Sequence, residues 1–370
     1  MRIVNLNKTN NFIFWTILIL LVLITNQYFS LEEVFLNGGN DGVDYFSISK
    51  FAPEFSKDLA AHKSWRFFYP FLLGIISKIF NFNIFLVYQL TTILIIINFI
   101  YLINKDIFID NNFFGNFIFI SCILFNPYFF RYFVSLPLLI NDLIFIYGSV
   151  YLILFLKKKK LFYLIISLTI ICFARQESIF FIISMIICKI IFKKSSIFSY
   201  KHLCIGLFIT TLTFSLNNYY SINSSLSDFN SFSDGGRFAL FNFNYSIFEF
   251  LIFIFYLLFS FLLIIVIIFF NYKKFFINLT LKFKDEVIFF IFILSLLILM
   301  PTIIAGPEIS GKNILRLSNL AILFITYLTY LLVGKLKLSW IFNFVFFVII
   351  FIFLQHPKYS KSKLFEVFLN

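Results

Sequence analysis

Apolar residues run along this chain in long blocks separated by short polar punctuation. The blocks cover residues 12–29, 84–104, 113–130, 142–156, 161–174, 178–192, 203–220, 246–270, 287–305, 319–333 and 339–355. A stretch of about 20 apolar residues is what an α-helix needs to cross a bilayer core, and repeated stretches near that length predict a polytopic bundle. The expected fold is therefore all-α, with about eleven spans in a single transmembrane unit over 1–370. Residues 67–80 form a further apolar segment, but 14 residues at about 1.5 Å each reach only about 21 Å. This segment is expected to lie at the outer surface or to dip in and return. The pair 161–174 and 178–192 is also short and is expected to be a hairpin whose tip holds Arg175, Gln176 and Glu177.

Composition adds to this picture without redirecting it. The chain of 370 residues is 61% hydrophobic and 13% charged, and its 61 phenylalanines satisfy lipid as any large apolar side chain would. Cys122, Cys172, Cys188 and Cys204 fall in or beside apolar runs without metal-ligand spacing, and His62, His202 and His356 are far apart. Zinc is not expected, and the cysteines read as small buried hydrophobes.

The net charge of +13 suggests nucleic acid until it is laid on a topology. Arg2 and Lys8 precede the first run, which places the N-terminus in the cytoplasm by the positive-inside bias. The first run is too long and too apolar for a cleaved leader, and no small-residue cleavage site follows it. Alternation then puts Lys105, the four lysines of 157–160, Lys189, Lys193, Lys194, Lys201, Lys273, Lys274, Lys282, Lys284, Lys335 and Lys337 on the same side. That side holds seventeen basic residues against four acids, which accounts for the whole excess. Nucleic acid is not an expected partner.

Candidate chemistry collects on the other side. The first outer loop, within 31–83, carries Asp41, Asp44, Tyr45, His62, Lys63 and Arg66; residues 221–245 form a second outer loop and 356–370 a short outer tail. Residues 38–42 read as a glycine-rich tight turn, from which Asp41 acts as a general base at the membrane surface or sits as a solvated turn aspartate. Lys63 and Arg66 share a helical face if 62–71 is helical, and so either grip a phosphate headgroup or anchor the interface. Arg175 with Glu177, and Lys312 with Arg316, repeat the basic pattern on later loops. Asp142 either orients a sugar hydroxyl or balances Arg131. Charge at membrane depth requires a partner or a wet cavity, so a convergence of these groups would mark a site.

The order of these short motifs resembles the GT-C class of polytopic glycosyltransferases, which includes protein O-mannosyltransferases and the lipid A aminoarabinose transferase. It is most similar to bacterial GT-C-like proteins with an aspartate-glycine pair and a tyrosine in the first outer loop, followed by an arginine leading into a helix. Here these are Asp41, Gly42 and Tyr45, then Arg66, Phe68, Tyr69 and Pro70; Asn126, Pro127 and Asp142 follow, then Phe173 to Glu177, then Asn313 and Arg316. Asn40 and Val43 depart from the pattern, and Asp44 adds a second carboxylate.

The resemblance implies an inverting sugar transfer from a polyprenyl-phosphate donor to a hydroxyl of an outer-face glycan, lipid or protein, in a bacterial cytoplasmic membrane. Asp41, or Asp44, is the implied base. Lys63, Arg66, Arg175, Lys312 and Arg316 would bind donor phosphate, and Tyr45, His62, Asp142 and Glu177 would orient sugar or acceptor. No metal or other cofactor is implied. A transporter or lipid-linked sugar flippase, a surface-polysaccharide polymerase and a structural subunit are the competing readings. A transporter should show broken helices and mid-span charge, neither of which the apolar pattern contains.

Overall fold

The computed structural model describes residues 41–57, 59, 61–108, 113–126, 129–193, 197–224, 246–304, 314–336 and 339–355. Helices make up most of these residues, and no strand pairs into a sheet among them. In chain order the helices are α1 Asp41–Phe51, α2 Ala61–Ser64, α3 Phe68–Phe80, α4 Ile84–Leu102, α5 Phe113–Leu124, α6 Phe130–Ser135, α7 Ile140–Lys158, α8 Leu161–Ala174 and α9 Ile179–Ile191. They continue as α10 Tyr200–Ser224, α11 Ile247–Ser260, α12 Leu262–Phe270, α13 Tyr272–Lys282, α14 Glu286–Ile304, α15 Ile314–Asn319, α16 Ile322–Val333 and α17 Trp340–Gln355.

Every apolar run within the described residues became helix, but the runs did not become eleven crossings. Among the described residues, two helical stretches are long and apolar enough to span a membrane, Ile84–Ile107 and Pro137–Lys158, and a third counts if α11 and α12 form one bent span. The shortfall has local causes. The run 113–130 is helical only to Leu124, and α10, although 25 residues long, is diluted by Thr210, Thr211, Ser215, Asn217 and Asn218. The run 246–270 breaks by 73° between Ser260 and Leu262. There the Ser260 carbonyl accepts a hydrogen bond from Asn126 Nδ2 at 2.7 Å, and the Ser260 hydroxyl meets Ser318 at 2.9 Å. Broken helices, expected to be absent, are thus present. The first run, 12–29, lies outside the described residues, as do 225–245 and 356–370.

Stretch 137–158 is the central pillar, with 89% of its apolar window buried, against 39% for the stretch that contains α4. Large apolar side chains also cover the outside of the bundle, including Leu94, Phe208, Phe248, Phe269 and Phe344. Apolar surface on both sides of a helix suits a lipid solvent.

The two ends of α7 carry different chemistry. At its C-terminus, Lys157 Nζ donates to the carbonyls of Asp106 and Ile107 at 2.8 and 2.9 Å, and Lys158 pairs with Asp106 at 2.6 Å. At its N-terminus stand Asn141 and Asp142, about 24 Å away along the axis at 1.5 Å per residue.

The stretch 41–66 is more ordered than its polar composition suggests. Asp41 and Gly42 belong to α1 and not to a tight turn; Gly42 is small because Leu138 Cδ1 stands only 3.0 Å from where its Cβ would be. Residues 62–71 are not one helix either, because α2 ends at Ser64 and α3 starts at Phe68. Ser221 to Ser224, placed in the second outer loop by sequence, complete α10.

Helix α3 is the short apolar segment, 13 residues long. It ends at Asn81 in the left-handed region (φ 52°), and Asn83 caps α4 through Phe85 N–H at 2.9 Å. Its start adjoins Arg66, and α4 promptly delivers Tyr88 to Ser49 at 2.7 Å, so both ends of α3 stay at the N-terminal end of α7. Ser49 Oγ also donates to Pro70 O at 2.7 Å. At this crossing of α1 over α3 a Cβ on Gly74 would fall 2.1 Å from the Ser49 carbonyl oxygen.

A Gly74→Ala substitution therefore has to push two backbones apart. We expect a loss of about 1 to 3 kcal/mol or more, read as a lowered melting temperature in detergent, with Gly42→Ala milder because a flexible leucine can yield. Equal melting of Gly74→Ala and the parent would refute the close crossing.

Candidate functional site

Five of the side chains singled out in sequence meet in one buried cluster. Asp142, in the first turn of α7, is 1% exposed and accepts from Arg175 Nη1 through Oδ1 and from Arg316 Nε through Oδ2. Arg175 in turn holds Glu177, Nε to Oε2 at 3.1 Å and Nη2 to Oε1 at 2.7 Å, in the paired geometry that suits a guanidinium and a carboxylate. Arg66 approaches from the connection between α2 and α3, with Nη2 3.9 Å from Glu177 Oε1 and Nη1 3.5 Å from the Tyr45 hydroxyl. Tyr45 is the sixth member, fully buried on α1.

Local structure explains each position. Arg175 is extended (φ −154°, ψ 150°), which ends α8 at Ala174, and a 3₁₀ turn over Gln176–Ser178 then starts α9. The break between α8 and α9 exists at the expected place, and it aims Arg175 inward instead of into solvent. Arg66 lies in the bend between α2 and α3; its carbonyl accepts from Asn141 Nδ2 at 3.0 Å. Phe68 stacks on Phe173 at 4.0 Å and Phe67 on Tyr220 at 3.9 Å, fixing that bend against α8 and α10. Arg316 is supplied by α15, 174 residues after Asp142.

Asp142 does not stand free at the head of its helix. Its two oxygens are taken by Arg175 and Arg316, and the Arg131 side chain lies outside the described residues. Nor do Lys63 and Arg66 form one basic face. Lys63 pairs with Asp44, while Arg66 turns to Tyr45 and Glu177. Asp41 is the first residue of α1, one turn before Asp44 and Tyr45, and its side chain, like that of His62, lies outside the described residues, as does Lys312 altogether. Asn141 and Ser49 were not anticipated. The signal for Asn141 was its place beside an aspartate at the start of an apolar run.

The electrostatics divide the guanidiniums into two kinds. Arg175 and Arg316 are bound by carboxylates at short range, whereas the contacts of Arg66 to Tyr45 and Glu177 are longer, at 3.5 and 3.9 Å. Burial would raise the Glu177 carboxyl, but Arg175 and then Arg66 outweigh it and bring the pKa from 4.5 down to about 2. Among the described residues, no group of three His, Cys, Asp or Glu is placed to hold a metal ion.

Beside the cluster a cavity of about 570 Å³ opens between α9 and α10. Trp65, Ile179, Leu207, Thr210, Phe214 and Asn218 are among its walls; Trp65 precedes Arg66 and Ile179 follows Glu177 by two residues.

Removing one carboxylate from the cluster leaves buried cations facing each other. Asp142→Asn should cost about 3 to 5 kcal/mol of stability, measured by thermal unfolding in detergent; a loss under about 1 kcal/mol would contradict the pairing. For Glu177 the folded pKa is depressed, so its stabilising contribution is complete above 4.5 and lost as pH falls toward about 2. The melting curves of the parent and Glu177→Gln should therefore converge across that window, and curves that stay parallel would argue against the shift. Comparison with protein-family models, with curated proteins and with solved structures found no significant match to this chain.

Proposed function

We propose that this chain is a membrane glycosyltransferase that moves a sugar from a polyprenyl-phosphate carrier to an acceptor hydroxyl at the outer face of a bacterial cytoplasmic membrane. The observation that carries the reading is the convergence of Arg66, Arg175, Arg316 and Tyr45 beside the helix that bears Asp41 and Asp44. Charges gathered at one end of an apolar bundle, next to an apolar cavity, suit a substrate with an anionic head and a greasy tail. The sidedness belongs to this proposal, with the cluster outside and the Lys157 to Asp106 contacts inside.

In the reaction, a carboxylate takes the acceptor O–H proton as the acceptor oxygen bonds to the sugar's anomeric carbon. The bond from that carbon to the phosphate oxygen breaks, and the lipid phosphate leaves with the electron pair. Asp41 is the preferred base, because Asp44 is engaged by Lys63. Arg66 has hydrogen-bonding capacity for the departing phosphate, while Arg175 and Arg316 frame it through Asp142. Tyr45 helps orient Arg66, and the cavity at Trp65 takes the first part of the carrier chain.

The 73° break between α11 and α12 favours one other reading, transport of the lipid-linked sugar, since broken helices are a transporter feature. Proteoliposomes supplied with a radiolabelled polyprenyl-phosphate hexose and an outer-face acceptor separate the two. Transfer should fall about 100-fold or more in Asp41→Asn, and by roughly 100-fold in Arg66→Gln. Full transfer by Asp41→Asn would remove the base assignment, and movement of the labelled lipid between leaflets without any transfer would favour the transporter.

A further inference from the structure

Helix α13 connects the apolar helices α12 and α14, yet its 11 residues, YKKFFINLTLK, contain none that is buried. One face is bonded to the protein. Lys274 Nζ donates to Lys335 O at 3.0 Å, Asn278 Nδ2 to Leu332 O at 2.5 Å and Lys282 Nζ to Leu331 O at 3.3 Å. These three side chains satisfy carbonyls at and just past the C-terminus of α16, where a helix presents unpaired acceptors and partial negative charge. This holds α13 against the end of α16 and fixes which way its other face looks.

That other face is apolar at its centre and cationic at its ends. Phe276 is 56% exposed, Ile277 57% and Leu281 70%, with Lys273 one turn before and Lys284 just beyond. Thr280, between them, is satisfied by its own helix through Phe276 O and Ile277 O. Asp285, the nearest acid in sequence, is committed to capping α14, its Oδ1 2.8 Å from Val287 N.

We infer that α13 lies in the membrane–water interface and binds anionic phospholipid, with Phe276, Ile277 and Leu281 among the acyl chains and Lys273 and Lys284 on the headgroups. The charge pattern selects this occupant. Exposed apolar residues flanked by lysines, on a helix too short and too polar to span, match an in-plane amphipathic helix, and cations near the surface favour acidic lipids over neutral ones. A second protein copy would have to pair this face with acids, whereas the helices that flank it, α12 and α14, are apolar along their length. The inference does not depend on the transferase reading.

The test uses the full chain with Ile277→Cys in a Cys204→Ser background, since Cys122, Cys172 and Cys188 are buried. Leu281→Cys provides a second reporter should the first fail to fold. A nitroxide at either position, in phosphatidylcholine vesicles with and without phosphatidylglycerol, should be relaxed by oxygen and protected from an aqueous nickel chelate. Retention of phosphatidylglycerol over phosphatidylcholine, read by native mass spectrometry, should fall roughly tenfold in Lys273→Gln/Lys284→Gln. The inference is overturned by a label open to the nickel chelate, by one shielded from both reagents as a protein partner would shield it, or by unchanged lipid preference in the double variant.

Discussion

The bidentate hold of Arg175 and Arg316 on the buried Asp142 carboxylate is the constraint around which this structure is organised. Taking an ion out of water costs several kcal/mol even after relaxation, so a carboxylate 1% exposed is stable only where cations meet it. The cations come from positions 33 and 174 residues away, which ties the middle of the chain to its last third. The cost also shapes the backbone. Arg175 leaves helical geometry to reach inward, and so α8 and α9 cannot be one long rod. Because Glu177 follows two residues later and faces Arg66, the same break draws in the bend between α2 and α3 and, through Tyr45, helix α1.

Hydropathy made the helices legible and left their interruptions illegible. Runs such as 161–174 and 84–104 correspond almost residue for residue to α8 and α4, because a long apolar block in a chain this greasy has few alternatives to helix. The interruptions answer to other signals. The bend after Ser260 depends on Asn126, 134 residues earlier, receiving the freed carbonyl, and the crossing of α1 over α3 depends on Gly74 meeting Ser49. Neither pairing leaves a periodic trace. Helix α1 was missed because its polar, glycine-containing start reads as a turn, while its helical form is supported by packing of Gly42 against Leu138 and of Tyr45 in the core.

The candidate site shows the same division. That charges at the ends of apolar runs should gather was legible, since isolated charge there is costly and Arg66, Asp142, Arg175, Glu177 and Arg316 were all visible as such. Their pairing was not legible, because spacing along separate loops carries no information on which carboxylate reaches which guanidinium. Phosphate binding and sugar orientation need all five to be available, yet Asp142, Arg175, Glu177 and Arg316 are engaged with one another.

This spending is what gives Arg66 its distinct character. Among the described residues the cluster sets three guanidiniums against two carboxylates, and the short contacts all belong to Asp142, Arg175, Arg316 and Glu177. A frame whose charges balance can be buried and rigid, and rigidity is what a group must borrow if it is to meet an anion without reorganising. Arg66 borrows it through its carbonyl on Asn141, the stacked Phe67 and Phe68 and the nearby Glu177, while its own contacts stay long at 3.5 and 3.9 Å. A cation held by its surroundings, and not consumed by them, keeps its attraction for an incoming negative group. The closed Asp142 clamp is thus the condition for an open Arg66.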